Sequence, residues 1–269
     1  MNYRQPFRQT RLTPIGRRFR FLFSRLFGVR LQKSQQVAFV DINGQHFKRI
    51  ILRDSYLASR IERALEAFGV SDNVPGLVIR YEHEIWVDFV TGEVPTKPSH
   101  ELAREIAQFY AQIYHRSAGE IPSAGSIWLA RIRSDLQFLA RVGVLSNAAA
   151  ADIESAVERL TPAKFWLGFD YNDPVVKNFV RTDAGILCGI DVESLVEDQL
   201  IGLGVAKALA RWMEPYRATF FDAYNATGAP DFQHYLGFIE IAYLAAYTKL
   251  MFVERKWTNV EPTRFDRFR

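Results

Sequence analysis

The sequence has one cysteine in 269 residues, Cys188, so it can build neither an intrachain disulfide framework nor a multi-cysteine zinc site. Its five histidines, His46, His83, His100, His115 and His234, stand at no metal-ligand spacing, which argues against a transition-metal centre. An uninterrupted apolar run of membrane-spanning length is also missing, because Glu240 and Lys249 break the longest late stretch, Tyr235 to Phe252. The N-terminal region does not read as a secretory signal, since Arg20 and Arg25 divide Phe19, Phe21, Leu22, Phe23, Leu26 and Phe27. The expectation is a soluble or membrane-surface protein in a reducing, cytoplasmic setting.

Acidic residues are absent before Asp41, whereas nine basic ones stand there: Arg4, Arg8, Arg11, Arg17, Arg18, Arg20, Arg25, Arg30 and Lys33. The net charge of +4 therefore divides into a basic arm, residues 1–35, and a remainder with 25 basic against 30 acidic residues. A helix expected from about Pro14 to Phe27 suits a cationic amphipathic surface on anionic lipid, which would give peripheral membrane contact on the cytoplasmic face. The same pattern suits a Phe face packed on the protein body with its arginines solvated. Nucleic-acid binding ranks below both, and no specific nucleic-acid partner is expected.

What is present is an ordinary globular composition, 48% hydrophobic and 14% aromatic, in a chain long enough for one large domain or two lobes. Residues Val37 to Ile42 and Gln45 to Leu52 read as strands around Asn43-Gly44, a dipeptide suited to the positive φ angles of a type I′ hairpin. Leu57, Ile61, Ala64, Leu65 and Phe68 predict a helix that Gly69 stops. Two further strands, Leu77 to Tyr81 and Glu84 to Val90, precede a linker marked by Gly92, Pro95 and Pro98. Beyond it, helices are expected around Leu102 to Ile113, Ile127 to Val142, Asn147 to Leu160, Leu200 to Trp212 and Phe232 to Phe252. A second hairpin, turning at Asp183-Ala184-Gly185, interrupts them.

Chemistry concentrates beside that hairpin. Asp173, Asn178 five positions later and Asp191 at the end of the second hairpin strand have the spacing of a phosphoryl-transfer site. Such a site needs a carboxylate to accept or orient a hydroxyl, and an amide oxygen and a second carboxylate as hard ligands for Mg²⁺. Each residue also has a plainer reading, since Asp before Pro174 and a loop Asn favour turns for local reasons.

Asn172-Asp173…Asn178 and Ile190-Asp191-Val192-Glu193 resemble the His-Asn-Asp…Asn and Ile-Asp-Phe-Glu runs of the aminoglycoside phosphotransferase and choline kinase group. Tyr171 stands where that family has His, and Val192 where it has Phe. The resemblance implies an α+β, bilobal protein-kinase-like fold: a small antiparallel-sheet lobe with one helix, residues 36–93, and a larger, mainly helical lobe, residues 94–269, with the catalytic loop at 171–193. It implies Asp173 as catalytic base, Asn178 and Asp191 as Mg²⁺ ligands, and Lys48 as the strand lysine on the ATP phosphates, with Arg49 the competing register. Glu62 would pair with that lysine, Glu66 being the competing choice. Ile85 to Glu93, with Asp88, would form the last small-lobe strand and the adenine-binding hinge. No Gly-x-Gly-x-x-Gly precedes Lys48, so a loop near Leu31 to Gln36 would have to cover the phosphates.

The implied activity is ATP-dependent phosphorylation of a hydroxyl on a small molecule, glycan or lipid headgroup. Residues 118–165 would supply the acceptor pocket, with Trp128, Asp135, Trp166 and Trp212 as lining residues. The rival is a pseudokinase-like scaffold that recruits a partner or membrane through the basic arm, favoured by the absent glycine loop and by Tyr171.

Overall fold

A computed structural model describes residues 36–68, 73–123 and 126–268. The basic arm, its expected helix, Gly69 and all but the last residue of the expected phosphate loop lie outside the described residues. The described chain forms two compact units, one running to Glu93 and including Val180–Glu193, the other comprising Val94–Phe179 and the chain from Ser194 onward.

The first unit is built on a four-stranded antiparallel sheet of β1 (Gln36–Ile42), β2 (Gln45–Ile51), β3 (Leu77–Tyr81) and β4 (Glu84–Asp88), in the order β1-β2-β4-β3. Asn43 and Gly44 both adopt positive φ, 54° and 83°, so β1 and β2 close as the dipeptide predicts. Helix α1 (Ser55–Phe68) starts where the Asp54 carboxylate accepts the Leu57 amide at 2.9 Å, an N-cap bond. Its buried stripe is Ala58, Ile61, Ala64, Leu65 and Phe68, with Ala58 where the periodicity placed Leu57. Strand β4 ends at Asp88, two residues short of the expected Val90. From there the chain runs irregularly to Glu93, which exchanges backbone hydrogen bonds of 2.8 and 2.9 Å with Arg181. Gly92, at φ 144°, permits this approach, because a Cβ there would lie 2.1 Å from the Arg181 carbonyl oxygen. The second hairpin pairs β7 (Phe179–Arg181) with β8 (Leu187–Gly189), as expected, and Cys188 is buried in it.

The second unit is mainly helical. Its helices are α2 (His100–Ser117), α3 (Ile127–Arg141), α4 (Asn147–Leu160), α5 (Leu203–Ala208), α6 (Arg217–Asn225) and α7 (Leu236–Val253). Ser99 and Ser146 cap α2 and α4 through their hydroxyls. A small antiparallel sheet, β5-β6-β9 (Gly119–Pro122, Lys164–Tyr171, Leu195–Leu200), was not anticipated, and it shortens the helix expected from Leu200. That helix begins at Leu203, behind Gly202 in the left-handed region, and widens into a π-type turn over Leu209–Met213. The core is aromatic: Phe109, Tyr110, Tyr114, Tyr171, Phe179, Phe220, Tyr224, Phe232 and Phe238 are all fully buried or nearly so. Residues Gln233–Val253 are long and apolar enough to cross a membrane by length and composition, yet over half of that stretch is buried within the protein. Its two charges are spoken for, with Glu240 accepting from Arg217 at 2.6 Å and Lys249 donating to Asp135 at 2.5 Å. This is the arrangement of a core helix. The Lys249 bond also makes Asp135 a brace between α3 and α7.

Candidate active site

In the second unit, the segment from Asp170 to Asn178 is fixed from every side. Strand β6 carries Asp170 into the core, where it is fully buried. Its carboxylate accepts the Gly204 amide at 3.0 Å and the Tyr114 hydroxyl at 3.2 Å. Burial still dominates and pushes the carboxyl up to about 7, against those donors. Gly204 has to be glycine, since a Cβ would lie 2.2 Å from the Tyr171 carbonyl oxygen and 2.3 Å from the Tyr110 hydroxyl. The Tyr110 hydroxyl donates to the Tyr171 carbonyl at 2.8 Å, and the Tyr171 hydroxyl donates to the Asn178 carbonyl at 3.2 Å. Tyr171 thus fills a core position with Phe109 and Phe179 and ties the two ends of the loop.

Asp173 projects from this anchored loop, and Asn178 is brought back to it by a single turn over Val176–Asn178. The Asn178 side-chain Nδ2 donates to the Asp173 carbonyl at 2.9 Å and to its carboxylate at 3.1 Å. Two cations from the α5 segment complete the surroundings. Lys207 Nζ donates to the other Asp173 carboxylate oxygen at 2.5 Å and to the Asn172 carbonyl at 2.9 Å, and Arg211 approaches the same oxygen at 3.6 Å. Trp212 donates its indole N–H to the Pro174 carbonyl at 2.9 Å, so this tryptophan braces the loop. Trp128 is buried.

In the first unit, Lys48 and Asp191 come together. Lys48 Nζ donates to the Ile190 carbonyl at 2.8 Å. Burial lowers its pKa, while the charges of Asp191 and Glu193 act the other way and favour the ammonium. Arg49 points elsewhere: it is paired with Glu84 and lies 5.7 Å over the Trp86 ring.

Two expected residues do not join these groups. Glu62 accepts from Arg80 of β3 at 2.6 Å and makes no ion pair with Lys48; the competing Glu66 is exposed. Asp88 offers no amide to an adenine ring, because its N–H already donates to the Gly76 carbonyl at 3.0 Å as β4 pairs with the chain leading into β3. The Phe89 N–H likewise goes to the His46 carbonyl at 3.2 Å. Among the described residues, the N–H groups of Val90, Thr91 and Gly92 have no backbone acceptor.

Asp170, Lys207 and Arg211 were not singled out from the sequence. Lys207 and Arg211 stand four residues apart, the spacing of one helical face, and that pairing was a readable signal. Their target was not readable, because Asp173 lies 34 residues before Lys207 in the chain.

The sequence matches no protein-family model and no curated protein. Solved structures share its backbone course at the level of fold. A macrolide 2′-phosphotransferase from Brachybacterium faecium aligns at TM-score 0.59 and 15% identity, over 84% of this chain and 85% of its own. The choline kinase of Streptococcus pneumoniae aligns at TM-score 0.57 and 12% identity, over 92% of each chain. The fold is protein-kinase-like. A thermostable mutant of an aminoglycoside phosphotransferase, in ternary complex with ADP and hygromycin B, aligns at TM-score 0.58 and 12% identity, over 93% of this chain and 97% of its own. At these identities the likeness is one of fold.

The residues present can be tested against the magnesium and nucleotide that this fold implies. Among the described residues, no three His, Cys, Asp or Glu side chains converge as a metal cage. Lys48, anchored and with Asp191 and Glu193 acting on it, is suited to a phosphate-binding amine.

Proposed function

We propose that the chain is an ATP-dependent phosphotransferase whose acceptor is a hydroxyl on a small molecule, a glycan or a lipid headgroup. The observation that carries this reading is Asp173, projected from a loop fixed at both ends, with Asn178 folded back onto it. In this reading Asp173 orients the acceptor hydroxyl and takes its proton, which calls for a carboxylate at a fixed position. Asn178 and Asp191 supply oxygen ligands to Mg²⁺, and Lys48 grips the ATP phosphates. When bound, the metal neutralises phosphate charge. Support from the fold neighbours is coarse but consistent, since one was solved with ADP and others are named for small hydroxyl-bearing acceptors such as choline.

The test has two stages. A thermal-shift titration with ATP and Mg²⁺ should stabilise the protein by linkage. ADP release should then be followed with amino alcohols, sugars and envelope lipids, and Asp173→Ala should abolish turnover while retaining nucleotide binding. Turnover that survives Asp173→Ala would sink the assignment of the base.

One observation favours the rival reading of a non-catalytic binding protein: Glu62 is held by Arg80 and not by Lys48. Under that reading ATP with Mg²⁺ gives no stabilisation. For the basic arm we propose peripheral contact with anionic membrane from the cytoplasmic side, on its charge alone. Equal sedimentation with anionic liposomes by the full chain and a chain lacking residues 1–33 would remove its basis.

A further inference from the structure

The charges around Asp173 do not cancel. Lys207 is fully engaged, bonded to both the Asp173 carboxylate and the Asn172 carbonyl, with only 20% of its side chain exposed. It neutralises the carboxylate. Arg211 is then a second cation for the same single negative charge, and at 3.6 Å it is beyond direct hydrogen bonding to it. The Arg211 guanidinium lies 5.8 Å over the Tyr247 ring, which holds its plane, and 36% of the side chain faces solvent. Tyr247 in turn stacks on Tyr243 of α7, at 5.6 Å and 25° between planes, and Arg211 acts on the Tyr243 phenol against the upward push of burial. The other cation acting on these tyrosines, Arg264, already has a carboxylate, Glu261 at 2.6 Å. The surplus positive charge beside Asp173 is therefore carried by Arg211, an oriented, half-exposed guanidinium, the group best shaped to take phosphate or carboxylate through paired N–H donors.

We infer that the acceptor is acidic: a sugar or polyol that carries a phosphate or carboxylate group, bound by Arg211 so that a neighbouring hydroxyl meets Asp173. This rests on the phosphotransferase reading above. In the step it implies, the acceptor oxygen forms a bond to the terminal phosphorus of ATP as the bridging oxygen–phosphorus bond breaks. ADP leaves with that electron pair, and the hydroxyl proton passes to Asp173. An amino sugar or a quaternary amino alcohol would instead set a positive charge against Arg211, a like-charge contact that selects against it.

The test is equilibrium binding to the full-length protein saturated with Mg²⁺ and a non-hydrolysable ATP analogue. The probes are glucose 1-phosphate, glucuronate and glycerol 3-phosphate against glucose, glucosamine and choline. At least one acidic compound should bind about ten-fold tighter than its uncharged or cationic counterparts, and Arg211→Gln should erase that margin while Arg211→Lys keeps part of it. A wild-type-like urea-unfolding midpoint serves as the check that Arg211→Gln is folded. Tighter binding of glucosamine or choline, no binding of any acidic probe, or an acidic preference that survives Arg211→Gln would each overturn the inference. So would a loss of the analogue itself from Arg211→Gln in a folded protein, which would place Arg211 on the nucleotide phosphates. If the analogue fails to bind the wild-type protein, it is the phosphotransferase reading that fails, and the two failures are distinguishable.

Discussion

Asp170 makes the stability of the second unit depend on pH in an unusual direction. Its carboxyl is fully buried and pushed up to about 7 from an ordinary value of 3.8, chiefly by burial. The folded chain therefore retains a proton that the unfolded chain releases between about pH 4 and pH 7. The stability this group contributes is complete below its unfolded pKa and is lost as pH rises through its folded pKa. A difference of about three pKa units corresponds to something on the order of 4 kcal/mol. Asp170→Asn cannot titrate, so urea unfolding of wild type and variant in parallel, from about pH 4 to pH 8, isolates the group from every other ionisation. Relative to the variant, the wild type should lose up to about 4 kcal/mol across that range, with the difference levelling off above pH 7. A difference that is flat in pH, or one in which the wild type gains, would refute the reasoning. A gain would mean that the Gly204 amide and the Tyr114 hydroxyl outweigh burial and hold the carboxylate ionised.

Other substitutions separate the parts of the site. Gly204→Ala would drive a methyl into the Tyr171 carbonyl and the Tyr110 hydroxyl; a loss of about 1–3 kcal/mol in chemical denaturation is expected, with a lowered Tm. Lys48→Met should strongly weaken ATP–Mg²⁺ stabilisation in a thermal-shift titration, whereas Glu62→Gln, which breaks only a half-exposed pair with Arg80, should change affinity by no more than about two-fold. Equal losses in the two variants would return Glu62 to Lys48. Tyr171→Phe keeps the ring against Phe109 and Phe179 but removes the bond to the Asn178 carbonyl, for a loss of about 1 kcal/mol in urea unfolding.

Where local rules decide the structure, the sequence was legible. Asn43-Gly44 specifies its hairpin because few other dipeptides tolerate two positive φ angles, and α4 runs over Asn147–Leu160 as its periodicity and the Ser146 cap require. Where partners come from distant segments, it was not. The end of β4 at Asp88 and the strand at Leu195–Leu200 follow from pairing with distant segments, Asp88 with Phe47 and the late strand with β6. Short α6 sits behind Pro215 and offers few turns from which to read a period.

Glu62 and Asp173 show the same limit within the site itself. Both stood out as candidate side chains from residue type and position, but the partner of each is a tertiary choice. For Glu62 that choice is Arg80, on a strand the helix packs beside. For Asp173 it is Lys207, and the consequence is larger, because a carboxylate already matched by one cation leaves the next, Arg211, to face whatever approaches. A motif spaced like Asp173…Asn178…Asp191 therefore speaks to the class of reaction, whereas the charge of the acceptor depends on residues that only folding brings to the motif. Acceptors that differ in one charge and little else, such as glucose 1-phosphate, glucose and glucosamine, are accordingly the comparison to which this site should respond most.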